Sequence, residues 1–186
     1  AGLGRAIRSY GLSSLVYCSM GESSTSEGYF YEAVNGCSLG KLPVIFVIQD
    51  NGYGISVPKR QQTANHYASD NFASFPNLKV IHCDGKDVLD SVRALREAAA
   101  FAQSGEGCVL VHADCVRIGS HSNSDRHELY RDEEELAAAR AMDPLPRFRR
   151  LLVEGGAFSE EEVRAIEEEN QRTYEAAADH HRARTG

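Results

Sequence analysis

Apolar and polar positions in this chain alternate between two periods. Four short apolar runs read as strands: Ser14-Leu15-Val16-Tyr17-Cys18-Ser19, Val44–Ile48, Lys79–Cys83 and Cys108–Ala113. The second is β-branched and nearly continuous, which suits a parallel sheet covered on both faces. Helical spacing fills the intervals. Residues 1–12 look like the tail of a helix ending at Gly11. Phe30, Val34, Cys37 and Leu39 form one stripe that stops near Gly40, with Ser26 as its expected cap. Val88, Val92, Leu95, Ala99 and Ala102 form another, closed by Gly105 and Gly107. Residues 14–113 therefore read β-α-β-loop-β-α-β, a doubly wound, mostly parallel α/β sheet with right-handed crossovers.

Two stretches have no period. Asp50–Pro76 carries Gly52, Gly54, Pro58, Asn51, Asn65 and Asn71 and reads as a long loop, and loops beyond about 12–15 residues are usually functional or mobile. Arg117–Arg131 is a polar loop anchored only by Ile118, Leu129 and Tyr130. Beyond it the pattern is helical: 132–141, a break at Asp143-Pro144, 145–155 and 159–182, with Ser159 and Glu160–Glu162 at the start of the last helix. The expected division is an α/β domain over 1–131, incomplete at its N-terminus, and a helical C-terminal extension over 132–186.

Composition narrows the classes. A chain of 186 residues with net charge -7 offers no electrostatic footprint for nucleic acid or an anionic membrane surface. No apolar run approaches the roughly 20 residues that span a bilayer. Five cysteines (Cys18, Cys37, Cys83, Cys108, Cys115) show no CxxC pair, and four lie in or beside apolar strands, as buried free thiols in a reducing compartment do. The start, without Met and in mid-helix, reads as that of a fragment.

The candidate chemistry lies at two strand ends. Glu22 follows the first strand and Asn51 the second. If those strands are neighbours, a carboxylate oxygen, an amide oxygen and a backbone carbonyl such as that of Tyr53 meet at one sheet edge, where open α/β sheets place ligands. Three hard oxygens suit magnesium, which takes its remaining ligands from phosphate and water. Ser23 and Ser24, ahead of a helix N-terminus, offer hydroxyls and amides to an anion. Taken singly, Asp50-Asn51-Gly52 reads better as a turn and Glu22 as a loop carboxylate. His66, His82, His112, His127, His180 and His181 read as structural or surface residues, and His121 alone as a surface histidine.

Taken together, Gly21-Glu22-Ser23, 26 intervening residues and Asp50-Asn51 resemble the thiamine diphosphate motif, in which GDG or GEG is followed by NN. The flanks Ser26-Glu27-Gly28, Leu42-Pro43-Val44-Ile45-Phe46 and Asn51-Gly52-Tyr53-Gly54-Ile55-Ser56 resemble the alpha-type E1 component of 2-oxo acid dehydrogenase complexes. Arg117-Ile118-Gly119-Ser120-His121-Ser122-Asn123-Ser124-Asp125 is similar to that family's HSxSD loop. Asp143-Pro144-Leu145-Pro146-Arg147-Phe148 is similar to its DP-x-x-R-F pattern. Glu22 and Arg117-Ile118-Gly119 lean toward the branched-chain (2-oxoisovalerate) type.

That resemblance implies thiamine diphosphate and Mg2+ as cofactors, with Glu22, Asn51 and the Tyr53 carbonyl on the metal and Gly21, Ser23 and Ser24 along the diphosphate. His121 matches a cofactor-facing catalytic histidine, and Ser122 a phosphorylation position of mitochondrial members. The implied reaction is oxidative decarboxylation of a branched-chain 2-oxo acid with acyl transfer to a lipoyl group. The implied partners are a beta-type E1 subunit or fused beta half and the lipoyl domain of E2, in an α2β2 or fused dimer. The implied location is the bacterial cytoplasm, or the mitochondrial matrix in a eukaryote. Three positions depart from the pattern. Ser23 replaces a third Gly, costing about 1–2 kcal/mol if that site needs positive φ. Asp50 replaces the first Asn, and Gln49 stands where branched-chain relatives have an Arg. The alternatives are a pyruvate or acetoin E1, or a non-catalytic docking module that keeps the fold.

Overall fold

The computed structural model describes residues 1–185; Gly186, the last residue of the expected extension, lies outside them. A short helix α1 (Gly2–Ser9) leads into strand β1 (Val16–Gly21), helix α2 (Gly28–Leu39) and strand β2 (Val44–Asp50). A two-stranded hairpin, β3 (Tyr53–Gly54) and β4 (Val57–Pro58), precedes β5 (Leu78–Asp84), α3 (Val88–Gln103) and β6 (Cys108–Asp114). Three helices follow: α4 (Glu133–Ala141), α5 (Pro144–Glu154) and α6 (Glu160–Thr185).

The four long strands form one parallel sheet in the order β1-β2-β6-β5. Alternation along β2 divides the core. Val44, Phe46 and Ile48 face Phe30, Val34 and Cys37 of α2, together with Phe72, Cys108 and Leu110. Ile45 and Val47 face Ala94, Ala98 and Ala102 of α3, with Ile81, Val109 and Val111. A helix on each face makes the sheet doubly wound, as the strand and helix pattern implied. Phe30 anchors the first layer by edge-to-face contacts with Phe46 and Phe72, at centroid distances of 5.9 and 5.3 Å. Such pairs add about 0.5–1.5 kcal/mol beyond the area they bury.

The structure differs from the sequence pattern in four places. The first strand runs over Val16–Gly21, two residues later than the apolar run suggested, because its register follows β2. Ser26 does not cap α2: it ends a 3-10 turn over Glu22–Ser26, and the residue at the cap is Glu27, whose side chain makes no capping bond. Leu39 is 79% exposed, since the stripe of α2 has rotated off the sheet by its last residue. On α3 the buried stripe is Ala94, Ala98 and Ala102, while Val92 and Leu95 lie at its exposed margin. Small side chains at i, i+4, i+8 let this helix sit close to the sheet, and the larger residues flank the contact.

The stretch 50–76 is a loop built of short pieces. Besides β3 and β4 it contains 3-10 turns at Lys59–Gln61 and Ala68–Phe72, the latter burying Ala68, Ser69 and Phe72. One glycine is dictated by space: a Cβ on Gly107 would come within 1.8 Å of the Asn77 carbonyl oxygen. That oxygen accepts a hydrogen bond from Cys108 N at 3.1 Å, where β6 begins.

The chain divides into two compact units, Ala1–Asp143 and the residues from Pro144 onward, so α4 belongs to the unit that contains the sheet. In the second unit, Arg149 on α5 pairs with Glu160 and Glu167 on α6 at 2.6 and 3.2 Å. Ser159 caps α6 in a reciprocal arrangement: Glu162 N donates to Ser159 Oγ, and Ser159 N and Oγ donate to Glu162 Oε2. No described helix is both long and apolar enough to cross a membrane. All five cysteines are free thiols, and burial pushes Cys83 up to about 11 and Cys108 up to about 12, where a thiolate nucleophile is not available.

Candidate functional site

Strands β1 and β2 pair in parallel from Val16↔Val44 to Gly21↔Gln49, so both chains leave the sheet at the same edge. Directly beyond those ends stand Glu22 and Asn51. The two strands are neighbours, so the two candidate ligands stand at one end of the sheet. Glu22 opens the 3-10 turn, and Thr25 Oγ1 donates to its carbonyl at 2.7 Å. Its side chain is 97% removed from solvent, at 3% exposure, although it carries a carboxylate. Thr63 Oγ1 donates to Oε1, whereas Oε2 is buried and has no partner. An ionised buried oxygen without a donor is costly unless a cation meets it.

Ser23 Oγ is the second polar atom here that is buried without a partner. It lies against the hairpin that follows Asn51: a Cβ on Gly54 would fall 2.1 Å from it. The two turns are therefore in contact, and Gly54 is the residue that permits it. Positive φ among the described non-glycine residues occurs at Lys41, Ile55 and Asn77. Ser23 is not one of them, so the strain considered for a serine in this motif does not arise.

On the other turn, Asn51 Oδ1 accepts from Tyr53 N at 3.1 Å, an Asx turn that fixes the amide and leaves a lone pair on its oxygen. Asp50, fully buried, anchors this turn from below. It accepts from Gly52 N at 3.0 Å, from Lys59 Nζ at 2.5 Å and from His112 Nε2 at 3.0 Å. Burial alone would raise this carboxyl from 3.8. The hydrogen bonds from His112, Lys59 and the Gly52 amide outweigh burial and hold it at about 2. Asp50 is thus charged and fully engaged, while Glu22 keeps one oxygen open. Gln49 is exposed beside Gly21.

The Arg117–Arg131 loop approaches from the end of β6. Arg117 stacks over the rings of Tyr53 and Tyr130 at 5.3 and 5.7 Å and donates to the Ile55 carbonyl and to Tyr130 Oη, each at 2.8 Å. Arg131, buried, lies 5.4 Å from the Tyr53 ring centroid and donates to Glu135 Oε1 at 2.7 Å. Tyr53 Oη donates to Glu135 Oε2 at 2.9 Å. Burial first and the Glu135 hydrogen bond second raise the Tyr53 phenol, so it stays a neutral donor. At the loop's centre, Asp125 accepts from Tyr130 Oη and from His121 N, both at 2.7 Å, and those two bonds lower its carboxyl. His121 and Ser122 are exposed at the tip, where the Ser122 and Ser124 hydroxyls lie 3.1 Å apart.

Residues matched to the family motif are thus brought together as two groups. Glu22, Ser23, Asn51 and Tyr53 share one strand-end cluster, with Gly21 and exposed Ser24 beside it. His121 belongs to a separate loop tied to that cluster through Arg117 and Tyr53. A profile for the dehydrogenase E1 component matches residues 1–184. The chain belongs to the dehydrogenase E1 component family. Similar proteins include the pyruvate dehydrogenase E1 component subunit alpha of Mycoplasma pneumoniae, 37% identical over 94% of this chain and 50% of that protein. The 3-methyl-2-oxobutanoate dehydrogenase subunit alpha of Mycobacterium tuberculosis is 36% identical over 78% of this chain and 40% of its own length. The 2-oxoisovalerate dehydrogenase subunit alpha of Bacillus subtilis is 35% identical over 78% and 44%. The chain spans about half the length of the curated relatives it matches. Pyruvate-type and branched-chain-type E1 alpha subunits are similar to it at nearly the same identity.

The E1 family pattern covers Glu22, Asn51 and, as a departure from its first Asn, Asp50, but other residues that build this site carried no signal in the sequence. His112 read as structural, and Lys59, Gln62 and Thr63 fell in a stretch without a period. Two basic residues and three hydroxyl or amide side chains in a row at 59–63, soon after Gly52 and Gly54, were the one available hint.

Proposed function

We propose that this chain forms the magnesium-and-diphosphate half of a thiamine diphosphate-dependent E1 enzyme that decarboxylates a branched-chain 2-oxo acid and passes the acyl group to a lipoyl arm. The observation that carries this reading is the buried Glu22 carboxylate, with Oε2 unpartnered, at the end of the strand beside Asn51. A hard carboxyl oxygen held buried and unpartnered fits a small divalent cation, and the neighbouring Ser23 hydroxyl, also buried and open, fits a phosphate oxygen. Glu22, the Asn51 amide oxygen and the Tyr53 carbonyl would hold Mg2+; Gly21, Ser23 and Ser24 would line the diphosphate. Bound thiamine diphosphate supplies the carbon nucleophile for decarboxylation, and the protein supplies binding, orientation and electrostatics.

His121 is the loop's proton carrier in this reading. An imidazole has two ring nitrogens that accept or donate, so it can hold or deliver a proton at the substrate oxygen. Its backbone N–H is held by Asp125 at 2.7 Å and its side chain is exposed. A phosphoryl group on exposed Ser122 would place close to two negative charges beside His121 and oppose an anionic cofactor. A beta-type E1 subunit or fused half would complete the site, with the lipoyl domain of an E2 as acceptor, in an α2β2 or fused-dimer assembly.

The branched-chain assignment rests on Glu22 and on Arg117-Ile118-Gly119. A pyruvate enzyme is the second reading, favoured by the similarity to the pyruvate-type alpha subunit. The test is reductive acylation of a lipoyl domain by the full-length protein with its partner subunit, comparing kcat/KM for branched-chain 2-oxo acids and pyruvate. One missing or extra methylene is worth about 10–200-fold, so a branched-chain preference of at least tenfold is expected. The reverse preference selects the pyruvate reading. Absence of turnover with every 2-oxo acid leaves the docking-module alternative.

A further inference from the structure

Both halves of the candidate site are gripped by a single short segment. Lys59, Gln62 and Thr63 lie within one turn of chain after the β3–β4 hairpin, whose closure Lys59 N makes by donating to the Gly52 carbonyl at 2.8 Å. From there Lys59 Nζ reaches Asp50, below the Asn51 turn. Gln62 Nε2 donates to the Ser23 carbonyl at 3.2 Å and to Ser26 Oγ at 3.1 Å, holding the 3-10 turn. Thr63 Oγ1 donates to Glu22 Oε1. The segment is itself stiffened, since Gln62 N and Thr63 N both donate to the Lys59 carbonyl at 2.9 Å.

We propose that Lys59–Thr63 is the positioning clasp of the cation site, and that Thr63 is the residue that aims the Glu22 carboxylate. This rests on the cofactor reading above and adds to it a residue outside the motif. A carboxylate with two open oxygens can rotate and can chelate a cation or bind it through either oxygen. Here the Thr63 hydroxyl occupies one oxygen, so the other, buried and unpartnered, is the one left for the ion. Threonine suits the task because its β-branch restricts χ1, so the hydroxyl direction is set by the backbone. Gln62 and Lys59 keep the two turns at a fixed separation, so Glu22 and Asn51 present their oxygens together. Partners of this kind, which touch a ligand and not the metal, tune affinity by about 10–100-fold.

The test uses the full-length protein with its partner subunit and Mn2+ as the probe. Free Mn2+ is followed by electron paramagnetic resonance at saturating thiamine diphosphate, and the thermal midpoint of the cofactor-free protein is measured in parallel. Thr63→Val, which keeps shape and loses the donor, is expected to raise the Mn2+ dissociation constant about tenfold or more. Thr63→Ser, which keeps the hydroxyl, is expected to restore most of the affinity, with the thermal midpoints of the cofactor-free proteins alike. Thr63→Ala carries the same expectation as Thr63→Val if the valine variant does not fold. Wild-type affinity in the valine or alanine variant overturns the proposal, as does equal weakening by valine and serine, which would assign the effect to packing. Failure of the wild type to bind Mn2+ with thiamine diphosphate overturns the cofactor reading and this inference together. A wild type that binds alongside unaffected variants overturns the inference alone.

Discussion

The strand-end cluster and the His121 loop are held in opposite ways. Around Glu22 and Asn51 the fixing contacts are buried or partly buried, and most join residues distant in sequence: Thr63 to Glu22, Gln62 to Ser23, His112 to Asp50, with Lys59 to Asp50 at shorter range. In the loop Arg117 is stacked on Tyr53 and Tyr130 and Arg131 is bound to Glu135 at the base, Asp125 holds the His121 amide at the centre, and the His121 and Ser122 side chains stay exposed. The difference follows from what each part is proposed to do. A cation site gains from oxygens held rigidly before the ion arrives, because the ordering is then built into the fold. A residue that moves a proton at a substrate needs its ring free to approach and withdraw. Arg117 and Tyr53 connect the two regions, so the loop's base is registered to the Asn51 turn while the side chains at its tip stay exposed.

The sharpest way to break this contrast is to remove Asp50. Asp50→Ala leaves Lys59 and His112 facing a buried gap, and loss of one partner of a buried ion pair costs about 3–5 kcal/mol. Chemical denaturation of the full-length protein measures it. The pH dependence has a fixed sign. The Asp50 carboxyl is held at about 2 in the fold against 3.8 ordinarily, so its contribution is fully present above 3.8 and is lost as pH falls toward about 2. The acid limb of the stability profile should therefore be shallower in Asp50→Asn than in the wild type. An unchanged limb would show that the cluster does not anchor the turn.

The loop predicts a smaller loss of a different kind. His121→Ala is expected to lower turnover in reductive acylation of a lipoyl domain by about 100-fold, near 2.7 kcal/mol, the lower end for a general acid–base group. Cofactor affinity and global stability should stay close to wild type, because no contact that holds the cluster passes through the imidazole. Normal acylation by that variant would show that His121 is not the proton carrier. A parallel fall in cofactor affinity would show that tip and cluster are one unit.

What the sequence revealed, and what it hid, follows the same contrast. The sheet was legible because Val44–Ile48 and Cys108–Ala113 are apolar on both faces, a pattern that parallel strands under two helix layers produce. Glu22 and Asn51 were legible because each directly follows a strand, so topology alone brings them together once β1 and β2 pair. The buried face of α3 was only partly legible: the expected stripe contained Ala102 but took Val92 and Leu95 in place of Ala94 and Ala98, which close packing selects. The clasp was hidden for a related reason. Thr63 meets Glu22 across 41 positions through one hydroxyl, and a polar residue in an aperiodic loop gives no sign of its distant partner. Ser26 shows the same effect in reverse, since its hydroxyl accepts from Gln62 in place of capping the helix it precedes.

The central claim is that Glu22 and Asn51 form one divalent-cation site for thiamine diphosphate. The most direct measurement is calorimetric titration of the full-length protein and its partner subunit with thiamine diphosphate, with and without Mg2+, for the wild type and for Asn51→Ala and Glu22→Gln. The account predicts saturable binding by the wild type only when Mg2+ is present. In each variant it predicts loss of the magnesium dependence, with affinity lower by at least about 100-fold, the upper range for altering a metal's surroundings. Magnesium-dependent binding of wild-type strength in either variant would contradict it.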